Sequence, residues 1–167
     1  MKKFFLVAAV ALLIAGTASA KDHTPKNNNA SYRAKQKFPF DFANAENINW
    51  HMAGDYSVAS FTQNGTTLKA YYDWEGDLAG TTKPMQYSDL PSNARKSIEK
   101  YYKDYTVQHI IVYNDNEENL NDLYPLIPEE GNVNYFVWLT KNKTNNNVVL
   151  QVTPEGQTSF FDNMREE

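Results

Sequence analysis

One stretch of this chain occurs twice, and that repetition limits the possible folds more than any other feature. Residues 54–78 read GDYSVASFTQNGTTLKAYYDWEGDL, and residues 134–157 read NYFVWLTKNKTNNNVVLQVTPEGQ. Each has an aromatic opening, a polar turn, a second apolar run and a closing Glu-Gly. Tyr56 aligns with Tyr135 and Gly76 with Gly156, at offsets of 79 and 80 residues, so one residue is inserted between them. A supersecondary unit used twice fixes the architecture before any single element is considered.

The unit reads as β-strands. Asn64-Gly65 is a two-residue hairpin signal, because both central positions of a type I′ turn need positive φ. Glu75-Gly76-Asp77 supplies a second turn. Strands are expected near 47–53, 56–63, 67–73 and 78–84, and again near 107–113, 134–140, 147–153 and 157–162. Leu68, Ala70 and Tyr72 alternate with Lys69, Tyr71 and Asp73, the pattern of a sheet with one wet face.

Between the two sets lies the best helix, expected over 90–104. Leu90, Ala94, Ile98, Tyr101 or Tyr102, and Tyr105 recur at helical spacing. Arg95, Lys96, Glu99, Lys100 and Lys103 fall outside that stripe. Asp89 or Ser88 can accept from the free N–H groups of the first turn, and Pro91 suits a first-turn position. The stripe packs on a sheet. Upstream, Ser31–Lys37 allows a short helix that Pro39 limits. Phe38, Phe40 and Phe42 alternate, as a strand or a hydrophobic tether. Residues 114–133 form a polar insertion with no counterpart in the first half, and loops of that length are functional or disordered.

The first twenty residues have the pattern of a signal peptide: Lys2 and Lys3, an apolar run from Phe4 to Ile14, and Ala18-Ser19-Ala20 as cleavage site. The run is too short to span a bilayer, which needs about 20 residues. No Cys follows it, so the chain is not read as a lipoprotein, and no later run is apolar enough to cross a membrane. Residues 21–37 are polar and are read as a flexible lead-in. Cleavage leaves 147 residues, one ordinary domain, with no cysteine anywhere. Export without cysteine excludes a disulfide framework, a thiol nucleophile and a thiolate metal site. Stability then rests on the core, which the 14% aromatic content can supply. A net charge of −4 argues against nucleic acid, whose binding needs Lys and Arg to neutralise phosphate.

Asn-Ile-Asn-Trp at 47–50, Gly-Asp-Tyr at 54–56, Val-Ala-Ser-Phe at 58–61, Asn-Gly at 64–65, Ala-Tyr-Tyr-Asp at 70–73, Glu-Gly at 75–76 and Asp-Leu-Pro at 89–91 occur in that order. In these positions the chain resembles the PepSY-like, beta-lactamase-inhibitor-protein-like family of exported Bacteroidota proteins, over roughly 40–162. The resemblance implies an α+β fold: an antiparallel β-sheet with a helix packed on one face, in two tandem sequence-related modules. The expected organisation is a signal peptide at 1–20, the lead-in at 21–37 and the PepSY-like domain at 38–167. Its first module spans about 38–86 and its second about 87–163. The resemblance also implies a periplasmic or secreted protein without enzyme chemistry that binds a protein partner such as an extracellular enzyme.

The residues themselves offer no catalytic constellation. His23, His51 and His109 lack metal spacing. No Gly-x-Ser-x-Gly elbow is present, and Ser57, Ser60 and Ser159 fall inside strands. Asp115, Glu117 and Asn119 alternate like the start of a calcium loop, but Leu120 stands where the turn wants Gly. Trp50 and Trp138 read as core. Trp74, at a turn, pairs with Tyr71 as a candidate partner-binding patch, since Trp and Tyr dominate binding energetics. The expectation is an exported non-enzymatic binding protein, possible inhibitor or regulator of a secreted or envelope enzyme, with no cofactor, no nucleic-acid partner and no membrane association after cleavage. Partner identity and oligomeric state stay open. The alternative is a small-ligand or calcium-binding module built on the 114–133 loop.

Overall fold

The computed structural model describes residues 30–116, 133–142, 144 and 146–164. The expected signal peptide, the lead-in up to residue 29, and Glu117 and Asn119 lie outside them. The chain divides into two compact units, one up to Thr81 and one from Thr82.

In the first unit a helix, α1 (Tyr32–Asp41), precedes β1 (Glu46–Ala53), β2 (Tyr56–Gln63) and β3 (Thr66–Tyr72). The strand β4 (Leu78–Pro84) carries the chain across the division. In the second unit a 3-10 turn at Tyr87–Asp89 leads into α2 (Ser92–Tyr101), then β5 (Tyr105–Asp115), β6 (Val133–Lys141), β7 (Asn147–Val152) and β8 (Thr158–Met164). Strand order follows chain order, β1 to β8, and the hairpin pairs are antiparallel. The fold is therefore α+β. Hairpin β2–β3 closes at Gln63↔Thr66, with Asn64 at φ 51° and Gly65 at φ 75°, so both central residues take the positive φ that the Asn-Gly pair predicts.

The stretch up to residue 42 departs from expectation. Residues 32–37 are helix, as Ser31–Lys37 allows, and not lead-in; the departure is its length, and Phe38, Phe40 and Phe42 belong to neither a strand nor a tether. The helix runs through Pro39 to Asp41. Ala34 and Phe38, one turn apart, are buried against Ala59, Phe61, Ala70 and Tyr72, with Phe42, Trp50, Leu68 and Leu78 packed around them. The Phe38 ring meets Phe61 at 5.0 Å and Trp50 at 5.4 Å, both edge-on, which aromatic quadrupoles favour. Pro39 sits in the last turn, where one lost backbone hydrogen bond is outweighed by that burial.

In the second unit α2 is shorter than predicted. Leu90, Ala94 and Ile98 are buried against Ile110, Val137, Leu139, Val148, Leu150 and Val152, with Tyr102 and Tyr105 packed alongside. Tyr101 faces outward. No side chain caps the helix: Ser88 donates its hydroxyl to Asp89 Oδ1 at 3.1 Å instead, and Pro91 precedes the first helical residue. Strands β5 and β6 pair from Tyr105↔Lys141 to Asn114↔Val133, so their ladder takes in both ends of the expected 114–133 insertion.

The two units contain matching details. Lys35 N–H donates to Ser31 and Phe42 N–H to Phe38, just as Arg95 N–H donates to Pro91 and Tyr102 N–H to Ile98. These helical positions are offset by 60 residues.

Candidate functional site

Directly after β3 ends at Tyr72, the chain forms a short, hydrogen-bonded loop at 73–77. Asp73 N–H donates to the Asp77 carbonyl at 3.0 Å, and Gly76 N–H to the Asp73 carbonyl at 3.1 Å. Asp77 N–H donates to Asp73 Oδ1 at 2.8 Å. Gly76 takes φ 81°, a region L side chains rarely enter, and lies against the start of α1. A Cβ there would stand 2.7 Å from Arg33 Cβ and 2.9 Å from Ala34 N. Lys37, on the same helix, forms an ion pair with Asp77. The loop is thus pinned to α1 by a close backbone approach and by a salt bridge.

This loop presents Trp74 with 70% of its surface exposed. Tyr71 is only 1% exposed and belongs to the sheet interior, so the expected Tyr71–Trp74 surface patch does not form. The physical reason is strand alternation: Tyr71 lies on the sheet face opposite α1, and that face is covered at Val58 and Tyr71. The expected wet face of the first sheet is therefore dry at this end. Tyr32 on α1 is also exposed, as is Phe40.

The carboxylates of Asp73, Glu75 and Asp77 come within 4.8 Å of one another. Asp73 is engaged by a backbone N–H and Asp77 by Lys37, so two of the three already serve the turn. Of the expected calcium candidates, Asp115 is half-buried at the end of β5, and Glu117 and Asn119 fall outside the described residues.

The same turn occurs in the second unit. Thr153 N–H donates to the Gln157 carbonyl at 3.0 Å, Gly156 N–H to the Thr153 carbonyl at 2.9 Å, and Gln157 N–H to Thr153 Oγ1 at 3.3 Å. Gly156 has φ 85° and abuts Pro91, Asn93 and Ala94 at the start of α2. Pro154 stands where the first unit has Trp74, so the exposed indole is particular to one of the two turns.

The histidines sit apart. His109 stacks on Trp138, ring centroids 4.8 Å apart, and burial holds its pKa below the ordinary value. His51 lies on the face of the first sheet turned away from α1. Its pKa is also lowered, by burial first and by Lys69 second. Lys69 occupies the same face and is lowered by burial. Among the described residues neither histidine is paired with a carboxylate. Sequence reasoning did not single out Lys69, because a lysine alternating with apolar residues reads as a solvated position. Trp50 packs edge-on to Phe38, and Trp138 is buried, as expected for core residues.

No protein-family model matches the chain, and no curated protein matches it. Solved structures do. A DUF2874 family protein from Bacteroides uniformis ATCC 8492 superposes with a TM-score of 0.63 at 14% identity, covering 77% of this chain and 86% of that one. A protein of Bacteroides eggerthii DSM 20697, described as a candidate periplasmic protein, gives 0.61 at 14%, covering 78% and 88%. A BLIP-like protein from Bacteroides fragilis NCTC 9343 gives 0.59 at 15%, covering 81% and 85%. At such identities the likeness concerns fold alone. The chain has the fold of these DUF2874 and BLIP-like proteins.

Proposed function

We propose that this chain is an exported, non-enzymatic binding protein that engages a protein partner, with Trp74 as a contact residue. The observation that carries the reading is the exposed indole on a loop held by three hydrogen bonds and anchored to α1. A large aromatic side chain left in water has a cost that packing would remove, and exposed apolar surface of this kind marks interaction sites. A rigid turn also lowers the entropy lost on binding. The BLIP-like likeness favours a protein as the partner. In this reading the partner is an extracellular or envelope enzyme. No helix among the described residues is long and apolar enough to cross a membrane, which is compatible with release after signal cleavage.

The same reading takes the two units as tandem PepSY-like modules. It is supported by the repeated helix hydrogen bonds and by the glycine turn that abuts each helix start.

The test is affinity capture from envelope and culture-medium extracts with residues 21–167 as bait and Trp74→Ala as control. A specific protein retained by the parent and lost by the variant supports the reading. Equal retention by both removes Trp74 from the contact surface, and absence of any specific partner overturns the binding role.

A further inference from the structure

The turn that joins β2 to β3 places two mutually reactive groups side by side in the open. Asn64 is the one asparagine of the chain that is followed by glycine. Both residues are exposed, and a Cβ added at Gly65 would meet nothing within 4 Å. The Gly65 nitrogen therefore has no side chain of its own beside it and no neighbour over it. Among the described residues neither the Asn64 side chain nor the Gly65 N–H has a hydrogen-bond partner. Two other asparagines share the backbone conformation but not the openness. Asn44 is exposed and takes φ 64°, close to the 51° of Asn64. It precedes Ala45, whose methyl hinders its nitrogen and whose N–H donates to the Phe42 carbonyl at 3.4 Å. Asn47, at φ 54°, precedes the β-branched Ile48.

We propose that Asn64-Gly65 is a site of spontaneous covalent modification, with water as the co-reactant. The Gly65 nitrogen gives its proton to a base in the solvent and attacks Asn64 Cγ. A carbon–nitrogen bond forms and closes a succinimide ring. The bond from Cγ to the side-chain nitrogen breaks, and that nitrogen leaves as ammonia with a proton from water. Water then opens the ring. Attack at the side-chain carbonyl leaves aspartate, and attack at the backbone carbonyl leaves isoaspartate, with the chain running through the side-chain carbon. Nothing is oxidised or reduced; an amide has become a carboxylate, and the net charge of −4 gains one negative unit. Isoaspartate adds a backbone carbon to a two-residue turn. Type I′ geometry rests on the φ values of 51° and 75°, so the longer turn no longer holds Gln63 opposite Thr66. Hairpin ends fray at little cost, so the folded turn gives the amide little protection. The turn lies at the end of β3 remote from the 73–77 loop, so this chemistry and the Trp74 contact can fail independently.

The test incubates the protein in neutral and in mildly alkaline buffer, digests it, and maps the peptides by chromatography with mass detection. Asn64 is expected to convert ahead of Asn44 and Asn47, to give both aspartyl and isoaspartyl peptides, and to react faster in the alkaline buffer. Isoelectric focusing of the intact protein should show a more acidic band growing in step. A synthetic peptide of residues 60–69 sets the unprotected rate, and the folded protein should react within about tenfold of it. Greater protection than that overturns the proposal, and so does an Asn44 or Asn47 that reacts as fast as Asn64; both readouts need the parent alone. Gly65→Ala should slow the reaction to the Asn44 rate. An unchanged rate in a Gly65→Ala protein that circular dichroism shows to be folded also overturns it.

Discussion

Replacing Gly76 by Ala probes the join between the 73–77 loop and α1. Two terms add. The residue sits at φ 81°, where an L side chain costs about 1–2 kcal/mol. The new methyl also meets Arg33 Cβ at 2.7 Å and two backbone atoms, Ala34 N and Arg33 C, at 2.9 Å. Backbone does not yield as a flexible side chain does, and overpacking of this kind costs about 1–3 kcal/mol. The sum is roughly 2–5 kcal/mol, a fall in Tm of about 6–15 °C for a chain of this size. Two companions calibrate it. Gly65→Ala has a similar φ, 75°, but nothing within 4 Å, so about 1–2 kcal/mol is expected from conformation alone. Gly156→Ala meets its neighbours at 3.0–3.1 Å and should fall between the two. Urea unfolding of all three, followed by tryptophan fluorescence and circular dichroism, gives the ranking Gly65 < Gly156 < Gly76. Equal losses for Gly65→Ala and Gly76→Ala would refute the claim that the loop is held by close approach to α1.

Phe38→Ala removes the ring at the centre of the first unit's aromatic cluster and should cost about 3–5 kcal/mol in the same assay. Trp74→Ala should leave the unfolding midpoint within about 0.5 kcal/mol of the parent, because an exposed side chain contributes little to folding; a larger loss would mean the indole packs on its own protein. His51 and His109 both titrate below 6.5 in the folded protein, so their neutral forms are favoured there. The unfolded chain takes up protons first, so the stability they contribute is full above about pH 6.5 and declines as pH falls through the folded values. Denaturant midpoints measured from pH 7.5 to 5 should drop in the parent and drop less in a His51→Gln, His109→Gln variant.

The hairpins were readable in the residues because their determinants are local. Asn64-Gly65 can close a two-residue turn in only a few ways, and alternation along 66–72 orients every side chain once the register is set. The α2 stripe was readable for the same reason. Helix α1 was legible only up to Lys37, because the breaker signal of Pro39 outweighed the helical spacing of Ala34, Phe38 and Phe42; the rest, to Asp41, holds through contacts with strands distant in sequence. The candidate site was half legible. An aromatic beside Glu-Gly marks Trp74 as a turn residue, but alternation cannot report whether a sheet's second face is covered, so Tyr71 read as surface. That Lys69 and His51 share a face depends on β1 and β3 flanking β2, and no spacing along the chain records it.

Among the described residues β1 borders only β2, and β8 only β7. Both have an irregular register: β1 between Glu46 and Asn49, where Asn47 takes φ 54°, and β8 opposite Val149 and Leu150. A bulge bends a strand and disturbs its row of hydrogen-bonding groups, so a second molecule cannot add along the full length of either border. These irregularities work against fibre growth. Trimming Asn47 to straighten β1 should convert a self-limiting border into a template, and light scattering of the concentrated variant would register it.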